Sequence, residues 1–314
     1  MRVAVIGCGY VGLAVAVGLA RAGRAVTAVE VDPGRLAALR AGQVPIDEPD
    51  LAPHLHRVRF TGELSEIGGA SVVLIAVPTA EEADLRRLGA LVCDAGRALG
   101  PGAVVALKST VPPDRVDEWA AGLAAAVPGA ALVVSPEFLR QGSALADLCA
   151  PARVVLGGPE AAVDQVLAAL DGVVPPEVPV IRTDARTAAL AKLAANAMLA
   201  VRVALGNELL RLGEALGADH TAVVDALGLD PRIGPAHLRP SLGFGGGCLP
   251  KDARMLLDVG QTAGVPLGVV GGAARSNVRH ARSMQVQPLH VTGAFARFNP
   301  GRREKVPVNG LARR

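Results

Sequence analysis

The sequence predicts an α/β protein in which a doubly wound parallel sheet is followed by a long helix and further helices. Three observations support this fold class. Short apolar runs typical of buried strands alternate with helical stretches as far as about residue 183. A glycine-rich turn joins the first predicted strand to the first predicted helix. From Asp184 to Leu216 the chain is rich in Ala and Leu and contains no Pro, which predicts one helix of about 30 residues.

The individual elements follow in a regular order. Strands are predicted over residues 2–6, 25–31, 71–77, 103–107, 131–134 and 153–156, and helices over 7–21, 35–41, 85–99, 114–126 and 160–170. After the long helix, we expect helices over 221–227, 252–263 and 271–282. The predicted domains are therefore a sheet domain (1–183), the long central helix with an all-helical domain (184–284) and a poorly ordered tail (285–314) that lacks periodicity.

Composition argues against several classes of partner. The net charge is +3 and aromatic residues make up 2% of the chain, and no basic patch is interleaved with aromatics, so nucleic acid is not expected. The uncharged stretch at residues 3–20 resembles a signal peptide, but its glycines have a nucleotide-binding spacing. A second uncharged stretch at 119–136 is broken by Pro128-Gly129. We expect no membrane partner.

The cysteines and histidines predict neither a disulfide framework nor a metal centre. The four cysteines are widely spaced and form no CxxC pair, which favours a reducing cytoplasm. His54 and His56 lack further ligands nearby and are expected at the surface.

A dinucleotide fingerprint opens the chain. Gly7-Cys8-Gly9-Tyr10-Val11-Gly12 follows a strand and begins a helix, the arrangement that binds a pyrophosphate in Rossmann-like domains. Glu30 ends the next strand, where an acidic residue binds the ribose hydroxyls and favours NAD over NADP. Asp32 is the competing acid, and we expect it to cap the following helix instead.

Three segments that follow predicted strands carry polar residues, and in open α/β sheets ligands lie at such ends. The segments are Val77-Pro78-Thr79, Lys108 to Pro113 (KSTVPP) and Ser135 to Gly142 (SPEFLRQG). Ser109 and Thr110 either face a ligand or cap the next helix. Glu137 is either a base for water or a carboxylate at a helix start.

A second group of candidates lies in the helical part. Lys192 and Asn196 are four residues apart, so they share one face of the long helix, although a lone Lys is more often solvated. Cys248 stands in the glycine-rich run Gly243 to Asp252 (GFGGGCLPKD). Glycines let backbone approach a ligand, and a nearby Lys favours the nucleophilic thiolate. A nicotinamide site together with a nucleophilic Cys suggests oxidation through a thioester.

With these motifs assembled, the chain resembles the UDP-glucose/GDP-mannose dehydrogenase family from Met1 to about Met284. The matching segments are GCGYVG, VPT, KSTVPP, SPEFLRQGSAL, AKLAANAMLAVRVALGNELLRLGEALGAD, DPRIG and GFGGGCLPKD. Departures from the family pattern include Gln141 for Glu, Gly247 for Ser and Ala80 for Pro. The resemblance also implies a third domain that holds the nucleotide, in whose place residues 285–314 predict only a tail.

The resemblance implies a four-electron oxidation of a sugar C6 alcohol to a carboxylate with two NAD⁺. It makes Cys248 the nucleophile. Proton transfer and stabilisation of the developing oxyanion are assigned to Asp252, Lys192 and Asn196. Positioning of the water that hydrolyses the thioester is assigned to Thr110 and Glu137. The expected cofactor contacts are Gly7, Gly9, Tyr10, Val11, Gly12, Glu30, Arg35, Pro78, Thr79, Ser109 and Thr110. The expected substrate contacts are Glu137, Phe138, Leu139, Lys192, Asn196, Gly245, Lys251 and Arg232, the last reaching the neighbouring subunit of a homodimer formed through the central helix.

The substrate is expected to be a nucleotide sugar. Asp230 to Gly234 (DPRIG) resembles the UDP-glucose members of the family more than the GDP-mannose members, whereas Leu249 stands where the UDP-glucose members usually have Phe. UDP-glucose is therefore the expected substrate, with GDP-mannose or UDP-N-acetylmannosamine as the alternative. Two alternatives stay open. One is a truncated NAD-binding remnant with little activity, favoured by the missing third domain. The other is a two-electron hydroxyacid dehydrogenase, which the Cys248 loop disfavours.

Overall fold

The computed structural model of the protein describes residues 1–245 and 247–284. The predicted tail at 285–314 lies outside the described residues. The chain forms two compact units, Met1–Ala195 and a second that begins at Asn196. The boundary falls within the long helix.

The first unit is built on an eight-stranded sheet, which confirms the predicted α/β class. Its strand order is β3-β2-β1-β4-β5-β6-β7-β8. The strands are β1 (Arg2–Ile6), β2 (Ala25–Val29), β3 (Val58–Thr61), β4 (Val72–Ile75), β5 (Val104–Leu107), β6 (Ala131–Val134), β7 (Val154–Gly157) and β8 (Val180–Thr183). β3 and β8 are additions to the predicted set.

Helices cover both faces of this sheet, as the doubly wound class requires. They are α1 (Tyr10–Arg21), α2 (Pro33–Arg40), α3 (Glu82–Leu99), α4 (Val116–Ala126), α5 (Ala144–Cys149) and α6 (Glu160–Leu170). One core cluster joins α1, α5 and α6 to the sheet, and a second joins α3, α4 and the beginning of the next helix, α7 (Ala185–Leu216). Small aliphatic residues fill these layers. β1 and β4 are buried almost throughout, as expected of strands packed on both faces.

The sheet departs from the predicted all-parallel arrangement at one place. β6 and β7 pair antiparallel, through Val134 and Gly157, whereas the other neighbouring strands are parallel. A parallel neighbour requires the chain to cross to the other end of the sheet, but here it re-enters at the carboxyl end of β6. The connecting segment, which begins at Ser135, therefore stays at the edge where ligands bind in open sheets.

The second unit is helical. It contains the rest of α7, then α8 (His220–Leu229), α9 (Leu249–Thr262) and α10 (Gly268–Ser283). α7 is 32 residues long, which confirms the predicted long helix. Its small residues allow close packing, since a Cβ on Gly206 would lie 2.3 Å from the carbonyl oxygen of Leu238. Phe244 is buried with Ala200, Val203 and Leu257 in the core of this unit.

By length and composition alone, α7 also passes the test for a membrane-spanning helix. Half of its most apolar stretch is buried inside the structure.

Candidate active site

The glycine turn after β1 has the geometry of a pyrophosphate cradle. Gly7 has a φ of +90°, a left-handed conformation that favours glycine. A Cβ on Gly12 would lie 1.8 Å from the carbonyl oxygen of Gly7, whereas one on Gly9 would meet no atom within 4 Å. The space in front of Gly9, at the N-terminus of α1, is where helix N–H groups receive an anion. The turn fits a dinucleotide.

Glu30 lies at the carboxyl end of β2, as predicted, and its carboxylate is held on both oxygens. It accepts hydrogen bonds from the backbone N–H groups of Cys8 (3.2 Å) and Asp32 (2.9 Å), and the Arg35 guanidinium pairs with it at 3.1 Å. Asp32 accepts a 2.6 Å bond from the N–H of Arg35 and caps α2, which confirms its predicted role. The fixed carboxylate suits ribose hydroxyls and would repel a 2′-phosphate.

Cys8, inside the fingerprint, is a packing residue. It is fully buried, and burial together with the charge of Glu30 raises the pKa of its thiol to about 12. A thiol with this pKa stays protonated at neutral pH and is not a nucleophile.

Ser109 ties the ends of two neighbouring strands together. Its hydroxyl donates to the carbonyl oxygen of Val77 (2.8 Å) and accepts from the N–H of Val77 (2.9 Å). α4 starts after Arg115, with no side-chain cap, so the alternative that Ser109 or Thr110 caps this helix is wrong. Ser109 therefore fixes the turn that carries Pro78 and Thr79 at the carboxyl edge of the sheet. Thr79 is buried there and Pro78 is exposed.

Glu137 and Lys192 form a buried ion pair in the first unit. The Lys192 ammonium lies 3.1 Å from one carboxylate oxygen of Glu137, and the side chains are 6% and 8% exposed. The other oxygen accepts a 2.6 Å hydrogen bond from the N–H of Leu139. Glu137 precedes α5 by several residues, so its alternative role as a helix-start carboxylate is wrong. Lys192 is not the solvated charge that a lone helical lysine usually is.

Lys108 joins this pair and was not among the predicted site residues. It is 7% exposed, and its ammonium donates to the Ser135 hydroxyl at 3.3 Å. Burial lowers its pKa to about 8, with Glu137 opposing and Lys192 reinforcing that shift. The cluster therefore places the Glu137 carboxylate beside two buried lysines, Lys108 and Lys192. The sequence signals were the position of Lys108 directly after a buried strand and its place in the KSTVPP segment.

A cavity of about 280 Å³ lies beside this cluster. Lys108, Glu137, Phe138 and Leu139 line it, so the predicted substrate residues of this segment lie together. Arg153 also lines it, with its guanidinium carbon 3.9 Å from the centroid of the Phe138 ring. This cation–π contact fixes the ring, and nothing in the local sequence pattern pointed to it.

In the second unit, Cys248 is exposed at the start of α9. A Cβ on Gly245 or Gly247 would meet no atom within 4 Å, so the backbone beside the cysteine is open to a ligand. Four residues on, Asp252 is 1% exposed and accepts a 2.5 Å hydrogen bond from the amide of Asn196. The Lys251 ammonium lies 2.5 Å from its other oxygen. Four predicted residues are thus brought to one end of α9.

Arg232 lies on the loop between α8 and α9, with its side chain 87% exposed. Its guanidinium pairs with Asp230 at 2.6 Å, which lowers the pKa of that carboxyl. The guanidinium of Arg202, on α7, holds this loop by donating hydrogen bonds of 2.6–2.8 Å to the carbonyl oxygens of Ile233, Gly234 and Ala236. The loop is therefore fixed while Arg232 faces outward.

The doubly wound sheet, the glycine cradle and the acidic residue at the end of β2 define the dinucleotide-binding domain of a dehydrogenase. Residues 1–171 match the NAD binding domain of the UDP-glucose/GDP-mannose dehydrogenase family, and residues 186–279 match its central domain. The chain belongs to this family. Its first domain binds NAD, as the fingerprint predicts.

Three relatives illustrate the similarity. The UDP-glucose 6-dehydrogenase TuaD of Bacillus subtilis is 34% identical over 93% of this chain and 66% of the relative. A UDP-glucose dehydrogenase structure from Pyrobaculum islandicum is 34% identical, with a TM-score of 0.82 over 90% of this chain and 68% of that one. A UDP-D-ManNAc dehydrogenase structure from Pyrococcus horikoshii is 26% identical, with a TM-score of 0.81 over 89% and 69%. The chain thus spans about two thirds of their length.

Proposed function

We propose that this chain is an NAD-dependent dehydrogenase that oxidises the C6 alcohol of UDP-glucose to the carboxylate of UDP-glucuronate. The observation that carries the proposal is the end of α9, where exposed Cys248 lies one helical turn before a buried Asp252 held by Asn196 and Lys251. A two-electron alcohol dehydrogenase requires no nucleophile, whereas oxidation of an aldehyde to an acid benefits from one.

The roles of the residues follow from their chemistry. Two NAD⁺ molecules, held one after the other at the N-terminus of α1, would each accept one hydride. In the first, the alcohol loses its hydroxyl proton and the C6 hydride and becomes an aldehyde. The Cys248 sulfur then adds to the aldehyde carbon, and Lys192 and Asn196 donate hydrogen bonds to the oxygen that becomes negative. Loss of the second hydride leaves a thioester on Cys248.

Hydrolysis of that ester returns the free thiol. A water molecule attacks the acyl carbon, the carbon–sulfur bond breaks, and the sulfur leaves as the thiolate. Glu137 suits the role of base for this water because it is a carboxylate at the carboxyl edge of the sheet, held in place by Lys192 and by the N–H of Leu139. We assign Thr110, at the same strand edge, to positioning the water. Asp252 takes up and returns protons at the sulfur and the substrate oxygen.

Two further parts of the proposal concern partners and location. α7 carries a stripe of exposed apolar side chains at intervals of seven residues, Met198 (62% exposed), Leu205 (47%) and Leu212 (54%). This stripe supports a homodimer through α7, in which Arg232 reaches the substrate of the neighbouring subunit. Light scattering should give twice the chain mass, and Leu205→Glu should give the monomer.

We place the protein in the cytoplasm, without membrane or nucleic-acid partners.

Substrate choice is tested directly. Purified protein is incubated with NAD⁺ and, in parallel, UDP-glucose, GDP-mannose or UDP-N-acetylmannosamine, while NADH is followed at 340 nm. We expect the highest kcat/KM with UDP-glucose. A higher value with either alternative would reassign the substrate within the family. NAD⁺ binding without turnover of any of the three would favour a remnant with little activity, the outcome expected if remote binding contacts are essential.

A further inference from the structure

Three buried polar side chains hold the backbone just before the loop that carries Cys248. Asn207 of α7 and Asn277 and His280 of α10 are 1%, 0% and 1% exposed. Polar groups this deeply buried require partners, and each of the three makes at least one hydrogen bond to the segment Ser241–Phe244, although the amide nitrogen of Asn207 has no partner among the described residues. None of the three belongs to the predicted site.

Their hydrogen bonds go to the backbone groups of the first and last residues of the segment, Ser241 and Phe244. The amide oxygen of Asn207 accepts from the N–H of Ser241 at 2.9 Å. Asn277 makes two 2.8 Å bonds, accepting from the N–H of Phe244 and donating to its carbonyl oxygen. A single side chain thus bonds both backbone polar groups of Phe244.

His280 closes the arrangement with a defined tautomer. Its Nε2 lies 2.8 Å from the carbonyl oxygen of Ser241, which only accepts, so Nε2 carries the proton. Its Nδ1 lies 2.8 Å from the Arg211 guanidinium, which only donates, so Nδ1 is the acceptor. The imidazole is therefore a fixed neutral bridge between α7 and the segment.

Gly243 lies in close contact with the Asn277 side chain. Its φ is +107°, and a Cβ there would lie 2.6 Å from the amide oxygen of Asn277. Phe244, the next residue, is anchored in the apolar core of the unit. The chain reaches exposed Cys248 four residues later, so the geometry of the cysteine depends on where this segment is held.

We propose that Asn207, Asn277 and His280 are positioning residues for Cys248, acting through the backbone of Ser241–Phe244. The inference rests on the proposed function, because only the second oxidation and the hydrolysis use the sulfur. Loss of the positioning contacts should therefore slow the second oxidation while leaving the first nearly unchanged.

The test variant is Asn277→Ala, and Ser276→Ala is its matched control. Ser276 is the preceding residue of α10 and is also buried, but its hydroxyl contacts Glu208 and Arg211 instead of the segment. Asn277→Asp keeps the acceptor for the Phe244 N–H but turns a carboxylate oxygen toward the Phe244 carbonyl oxygen, so its effect should be at least as large as that of Asn277→Ala. Gly243→Ala should disturb the same contact from the other side. Thermal melting verifies that each variant is folded.

Two readouts decide the inference. The first is hydrogen–deuterium exchange of peptides covering 241–248, which should quicken about tenfold in Asn277→Ala, with peptides of α9 unchanged. The second is NADH formation with enzyme in excess over UDP-glucose, where the second phase should slow at least about tenfold and the first by less than about threefold.

The outcomes are distinguishable. Unchanged exchange in Asn277→Ala, equal slowing of both NADH phases, or the same effects in Ser276→Ala would overturn the inference. If the unaltered protein forms no NADH from any nucleotide sugar, the proposed function fails, and the exchange comparison alone decides whether these side chains hold the loop.

Discussion

Removal of the Lys108 charge should change how stability depends on pH. A buried lysine whose pKa falls from 10.5 to about 8 binds its proton more weakly in the folded protein than in the unfolded chain. Between these values the unfolded chain holds more protons, so the free energy of unfolding rises with pH through this window. From pH 7.5 to pH 10 the contribution is about 2 kcal/mol. Lys108→Met has no such group and should lose this increment.

The single tryptophan makes the measurement specific. Trp119 is 7% exposed and belongs to the same unit as Lys108, so its fluorescence follows the unfolding of that unit. Guanidinium titrations give the free energy of unfolding of both proteins at pH 7.5 and at pH 10. The difference between the two proteins is then compared at the two pH values, so that the contributions of titrating groups common to both cancel. A decrease of about 2 kcal/mol in the stability of Lys108→Met relative to the unaltered protein is expected on going to pH 10. A difference independent of pH would refute the assignment of a buried, perturbed lysine.

Two further predictions concern the cofactor turn and the buried ion pair. Gly9→Ala should keep its melting temperature but weaken NADH binding at least about tenfold in a fluorescence titration, because its methyl enters open space facing the pyrophosphate. Gly12→Ala should weaken NADH binding and also lower the melting temperature, since its methyl overlaps the Gly7 carbonyl. Equal melting temperatures for Gly9→Ala and Gly12→Ala would contradict this. Lys192→Met should lower the free energy of unfolding by about 3 kcal/mol, because the buried Glu137 carboxylate loses its ion pair with Lys192, and adding Glu137→Gln should recover part of this loss. A double variant less stable than the single would show that the pair is not the cause.

The sequence predicted those features of the fold that depend on local pattern. The 32-residue α7 follows from a run of Ala and Leu without Pro, and the cap at Asp32 follows from an acid just before a helix. The alternation of apolar runs and helices predicted the doubly wound sheet. The antiparallel entry of β7 was not predictable, because the direction in which a chain re-enters a sheet is set by tertiary packing of the connecting segment.

The site shows the same division. Cys248, Asp252 and Glu137 stand in short motifs and were predicted, whereas Arg153 and Asn277 act through partners far away in the sequence. Arg153 contacts a ring 15 positions earlier and Asn277 a backbone 33 positions earlier, as their numbering shows. A polar residue on a helix is normally assigned to solvent, and only the packed structure reveals that it is buried with a partner.

The most direct test of the account is the amount of NADH formed per UDP-glucose consumed, measured for the purified protein and for Cys248→Ala. The account predicts two NADH per sugar for the unaltered protein and no more than one for the variant, since the thioester cannot form without the sulfur. Two NADH per sugar in both proteins would contradict the role of Cys248. Absence of NADH despite tight NAD⁺ binding would contradict the proposed activity of this chain.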